Sequence, residues 1–158
     1  MKYTTINEFS NFIYDKAQIA ELEVTPGGFH LWLDNVGILP ENSCNRDIRR
    51  MRCNGMLLRI TNPRLTSFVE EGYRYYDANG RLMREDEDRQ LELLEYEEHY
   101  KVFAEGYVVS LERRQEEERL IYTLVADGND EHTYCLTIEG SSDVEEWDRF
   151  LSPDDGGF

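Results

Sequence analysis

The sequence predicts a mainly β, α+β fold: an antiparallel sheet of about eight strands, curled into a barrel or folded into a sandwich, with a short helix at each end. Three observations carry that expectation. Apolar side chains alternate with polar ones through much of the chain, as in Phe29, Leu31 and Leu33 or Tyr122, Leu124 and Ala126, the period-two pattern of half-buried strands. Asn-Gly or Asp-Gly pairs recur at Asn54-Gly55, Asn79-Gly80 and Asp127-Gly128, where the positive φ of a tight turn is easily met. No long helical pattern separates successive strands, which argues against a parallel α/β sheet. At 158 residues, 40% of them hydrophobic and four of them proline, the chain can bury a core without disulfide or metal staples. It is read as a single globular domain over residues 1–152 with a flexible tail at 153–158.

Thr5-Ile6-Asn7-Glu8 has the form of a capping box, and Ile6, Phe9 and Ile13 then share a stripe, so a short N-terminal helix is expected. Ala20, Leu22 and Val24, followed by Phe29, Leu31 and Leu33, give two strands around Thr25-Pro26-Gly27-Gly28, where proline presets φ and glycine permits reversal. Asn54-Gly55 predicts a hairpin in which Arg50 opposes Arg59 and Arg52 opposes Leu57. Asn79-Gly80 predicts another, with Arg74 opposite Glu85 and Tyr75 opposite Arg84. Residues 89–98 fit a helix through Leu91, Leu94 and Glu95 as well as a strand through Leu91, Leu93 and Glu95. A three-strand meander follows, in which Tyr107, Val109 and Leu111, then Leu120, Tyr122, Leu124 and Ala126, then His132, Tyr134, Leu136 and Ile138 recur at every second position, with Glu116-Glu117-Glu118 at its first tip. Ser142 and Glu145 repeat the capping box, Val144, Trp147 and Leu151 share a helical face, and Pro153 stops the helix.

Seventeen Lys and Arg against thirty-three Asp and Glu leave a formal charge of -16. That balance argues against nucleic acid or an anionic membrane as partner and suits a basic protein partner, cations or plain solubility. Residues 1–8 lack the apolar run of a signal peptide, and no stretch approaches the roughly eighteen apolar residues of a membrane span. Three cysteines, Cys44, Cys53 and Cys135, form no C-x-x-C pair, which fits a reducing, cytoplasmic setting.

The charge is unevenly spread. Residues 46–64 hold six arginines and one acid, and the expected hairpin would crowd Arg50, Arg52 and Arg59 on one face. Like charges across a ladder destabilise it, so the protein's own carboxylates, a small anionic ligand or an acidic partner surface should offset them. Tyr73, Tyr75 and Tyr76 fit core or sheet-face packing and also a candidate partner surface, since tyrosine combines an apolar body with a polar tip. No catalytic, cofactor or metal set is expected. His30, His99 and His132 fit no zinc spacing, and the acidic run at residues 85–88 lacks the glycine turn of a calcium loop.

Tyr76-Asp77-Ala78-Asn79-Gly80-Arg81-Leu82 resembles one unit of the YD repeats of bacterial Rhs-type toxin shells. Those shells repeat the unit many times and this chain holds one copy, so the likeness is one of hairpin chemistry. The composition favours a non-enzymatic protein-interaction module, similar in kind to immunity proteins that neutralise basic nuclease toxins. The alternative is a β-barrel carrier or sensor for a small anionic ligand.

Overall fold

The computed structural model describes residues 1–153; Asp154 to Phe158, most of the expected tail, lie outside the described residues. The chain forms β1 (Tyr3–Ile6), β2 (Phe12–Ile13), β3 (Gln18–Thr25), β4 (Gly28–Asp34), β5 (Val36–Ile38), β6 (Met51–Cys53), β7 (Met56–Thr61) and β8 (Arg64–Glu70). It continues with β9 (Arg74–Tyr76), β10 (Leu82–Glu85), β11 (Arg89–Gln90), a single-turn α1 (Tyr96–His99), β12 (Tyr107–Glu116), β13 (Arg119–Asp127), β14 (Thr133–Gly140) and β15 (Ser142–Trp147). Ten strands make one antiparallel sheet in the order β1-β15-β7-β4-β3-β12-β13-β14-β8-β11, while β2-β5-β6 and β9-β10 form separate small sheets. The large antiparallel sheet is as expected. Its ends, β1 and β11, do not pair with each other, so no closed barrel forms among the described residues.

The sheet instead folds back on itself. Strands lie about 4.8 Å apart, so β12 and β13 would stand roughly 19 and 24 Å from β15 in a flat sheet. Yet Arg113 of β12 and Tyr122 of β13 reach the Asp143 carboxylate of β15 at 2.7 and 2.6 Å. The fold-back is made at two corners. Asn62-Pro63 carries β7 into β8, and Ser141 alone carries β14 into β15, its N–H bonded to the Thr61 carbonyl. Gly140 is required there, because a Cβ would come within 2.4 Å of the Ile60 side chain. Between the facing halves lie Phe29, Leu31, Leu33, Leu58, Ile60, Phe68, Leu124, Leu136 and Ile138, all buried.

Both terminal helices are corrected to strands. Asn7 takes a positive φ, β1 pairs with β15, and only a 3-10 turn at Phe9–Asn11 separates β1 from β2. At the other end β15 alternates inward Asp143, Glu145 and Trp147 with outward Ser142, Val144 and Glu146. Two inward residues are acids, so the apolar pattern that marks a strand is absent and a helical stripe takes its place in the sequence. Residues 89–98 hold β11, a 3-10 turn at Leu93–Glu95 and the start of α1. Bulges shift two faces: Ile19 is buried and Ala20 exposed in β3, and Val108 is buried between exposed Tyr107 and Val109 in β12.

The buried acids form a polar knot that ties the halves. Asp143 Oδ2 accepts Arg113 Nη1 and the Tyr122 hydroxyl, while Glu145 Oε1 accepts the Thr5 hydroxyl at 2.8 Å and the Glu8 N–H at 3.2 Å. Asp143 Oδ1 and Glu145 Oε2 are left buried with no protein donor. One proton shared between them satisfies both oxygens. Burial, then the neighbouring Asp143 carboxyl, hold the Glu145 pKa far above its ordinary 4.5, so Glu145 carries that proton at neutral pH and the knot is Arg113⁺ against a single negative charge.

The sign of the pH dependence follows. A pKa raised in the folded state contributes stability that is complete below about 4.5 and is lost as pH climbs through the raised value. Glu145→Gln supplies an amide donor in place of the proton. In urea titrations between pH 5 and 9 we expect the variant to gain on the natural protein by up to about 1.4 kcal/mol per pH unit; parallel curves would show that no proton is held. Arg113→Met should cost about 3–5 kcal/mol at neutral pH by leaving the buried charge unpaired.

Candidate interaction surface

The hairpin expected to set Arg50 opposite Arg59 does not form. Asn54-Gly55 is not a hairpin tip: β6 pairs with β5 in the small sheet, whereas β7 pairs with β4 and β15 in the large one. The pair serves as the crossing between sheets, with Asn54 Oδ1 accepting the Asn35 N–H at 2.8 Å and Asp34 Oδ1 accepting the Gly55 N–H at 2.7 Å. Arg50 lies against Gly37 of β5. Arg52 is only 6% exposed, its backbone bonded both ways to Leu151. Arg59 points from the outer face of β7 and donates to Glu146 of β15 at 2.9 Å. Its offset is therefore one of the protein's own carboxylates, on the strand that stands in place of the expected C-terminal helix.

The three tyrosines lie on an excursion from the sheet, with the Tyr73 and Tyr75 rings 6.3 Å apart. The chain leaves β8 at Glu70, forms the isolated ribbon β9-β10, and returns as β11 against the same β8, with Arg89 opposite Glu70. The ribbon's register sets Glu85 opposite Arg74 and Arg84 opposite Tyr75, as the Asn79-Gly80 spacing predicts, although a bulge at Met83 widens the loop. Arg74 Nε reaches Glu85 at 2.9 Å, the Arg84 guanidinium sits 4.2 Å from the Tyr75 ring centre, and the Tyr75 hydroxyl donates to Asp86 at 3.2 Å. At the tip Asp77 Oδ1 accepts the N–H groups of Asn79 and Arg81.

Local pairing stabilises this ribbon, but it leaves apolar surface in water. Tyr73, Tyr75, Tyr76, Leu82 and Met83 are all exposed, Tyr76 by 58% and Met83 by 71%. Leu93 and Leu94, which follow β11, are exposed as well, Leu94 by 95%. Around them residues 70–98 hold eleven acids and four arginines. Leu82, Met83, Leu93 and Leu94 are not among the surface residues expected from the sequence. The available signal was the adjacency of Tyr75-Tyr76 and Leu82-Met83, which places apolar groups on both faces of a ribbon that no second layer covers.

The root of the ribbon is fixed by charge. Glu70, whose side chain is 20% exposed, receives Arg89 and the Tyr134 hydroxyl at 3.4 Å each, with His99 Nε2 and His132 Nδ1 both at 3.9 Å. The Tyr73 ring lies tilted against His132, 4.7 Å between centres. Burial, Glu131 and Asp130 keep the Tyr73 phenol above its usual pKa, so it remains protonated. Burial likewise pushes the Cys53 thiol up to about 12 and raises that of Cys135, the reverse of what an activated thiolate needs. Among the described residues no three His, Cys, Asp or Glu side chains converge as a metal site, and no helix is long and apolar enough to cross a membrane. No family model, curated protein or solved structure matches the chain.

Gly72 sets how closely the two arms of the root approach. A Cβ there would meet the Asp86 carbonyl oxygen at 2.0 Å, where Gly72 N–H also reaches Asp88 and Asp86 N–H reaches the Tyr73 carbonyl. Gly72→Ala should accelerate amide exchange across residues 72–88 while β12, β13 and β14 keep their protection; uniform protection in the variant would show that the root is not held by this contact.

Proposed function

We propose that the protein is a non-enzymatic interaction module, cytoplasmic in setting, that captures a basic protein partner on the β9-β10 ribbon. The observation that carries this reading is the exposure of Tyr76, Leu82 and Met83 on a ribbon set within eleven acids. Apolar anchors surrounded by charge of one sign fit a partner of opposite charge, with the anchors giving affinity and the carboxylates giving rate and selectivity. The reading is similar in kind to that of immunity proteins, which mask basic toxins. Among the described residues no closed barrel forms, and Arg59 is bound to Glu146, so two supports of the ligand-carrier alternative are missing.

Native mass spectrometry of the protein isolated gently from its own source at low salt is the direct test. We expect a retained basic polypeptide, released as salt rises from about 0.05 to about 0.5 M. Met83→Ser with Leu82→Ser should weaken the purified complex about tenfold or more, as loss of anchor residues does, without changing the melting temperature. A partner that binds the double variant equally well, or that ignores salt, would overturn the assignment to this surface.

A further inference from the structure

We propose that β12 is a self-pairing edge, through which residues 110–116 join the same residues of a second copy of the chain, antiparallel about a two-fold axis at Arg113. β12 is bonded to β13 along its whole length, from Tyr107 opposite Asp127 to Glu116 opposite Arg119. On its other side it meets β3 at one position only, Tyr107 opposite Gln18. Val108 closes that contact by bonding the Lys16 N–H and the Ala17 carbonyl, each at 2.9 Å. Beyond Val108, no backbone bond reaches this side of β12 among the described residues. Seven residues, about 23 Å of strand, therefore present a bare edge.

The edge is also the thin place in the core. Leu111 points inward from it and, at 8%, is the most exposed of the buried apolar residues. Glu112, Arg114, Gln115 and Glu116 stand in solvent around it. An added strand would supply the missing backbone partners and cover Leu111 in one step.

Charge selects the occupant. Full overlap of residues 110–116 with themselves fixes the axis at Arg113, and that register sets Glu112 of each copy opposite Arg114 of the other, Leu111 opposite Gln115 and Ser110 opposite Glu116. Two opposite-charge cross-strand pairs form at once. The residue on the axis is not a free cation, because Arg113 is already committed to Asp143 at 2.7 Å. An isologous contact of this kind closes at two copies. It lets a chain of formal charge -16 accept itself at a place where signs alternate.

Sedimentation equilibrium of the full chain, at concentrations up to about 1 mM, tests the pairing. We expect a dimer whose dissociation constant falls as salt screens the net repulsion, and slower amide exchange at residues 110–116 as concentration rises. Arg114→Glu alone and Glu112→Arg alone should each raise the dissociation constant about tenfold or more, and the double swap should restore it to within about threefold. A natural protein that stays monomeric at every concentration and salt would overturn the proposal. So would a dimer indifferent to the single reversals, or exchange protection confined to another strand. The proposal rests on β12 and not on the ribbon, and its salt dependence has the opposite sign to that of a basic partner, so the two readings fail separately.

Discussion

The fold depends on the knot in which Arg113, Tyr122, Asp143, Glu145 and Thr5 meet between the facing halves of one sheet. Hydrophobic burial holds those halves together without specifying how far the sheet must fold back, since burial is non-directional. The knot specifies it. Asp143 accepts from β12 and β13 at 2.7 and 2.6 Å, and Glu145 accepts from the neighbouring β1, so two otherwise distant strands are held at a fixed distance from β15. Arg113 remains 18% exposed while Asp143 is fully covered, and the guanidinium lies 5.4 Å from the Phe9 ring. The charge is thus stacked on an aromatic face and paired, the arrangement in which a partly buried ion costs least.

A shared proton makes this arrangement possible. Two carboxylates two residues apart on one inward face would repel each other at close range, and one arginine neutralises only one of them. Retaining a proton on Glu145 removes the second charge and turns an acceptor-acceptor clash into a hydrogen bond. The consequence reaches the N-terminus, because Thr5 and the Glu8 N–H are bound to the same carboxyl group and, among the described residues, β1 has no partner strand besides β15. Acids inside and a sheet end outside are therefore one energetic unit.

Local chemistry was legible in the sequence and non-local partner choice was not. The β3-β4 hairpin, the β12-β13-β14 meander and the Arg74–Glu85 and Arg84–Tyr75 pairs of the ribbon depend on neighbours within about a dozen residues, and alternation or turn spacing exposes them. Asn54-Gly55 carried an equally strong turn signal, yet β6 and β7 pair with strands far from each other in the fold, and sequence spacing holds no record of that competition. Asp143 and Glu145 hid β15 altogether, because the period-two rule assumes an apolar inward face. Where acids face a core, the pattern that finds strands works against the reader.

Negative charge has different consequences at the two exposed places. On the ribbon it surrounds Tyr76, Leu82 and Met83 with carboxylates, so two ribbons repel one another while their apolar groups stay in water; exposed hydrophobics are tolerated there because self-association is electrostatically opposed. Along β12 the order Glu112, Arg113, Arg114 interrupts the acids with guanidinium groups, one bound inward to Asp143 and one left outward beside Glu116 at 3.1 Å. The inward arginine serves the core and the outward one makes the edge self-complementary. A single pair of adjacent arginines thus connects the knot that shapes the sheet to the edge where the sheet can be extended.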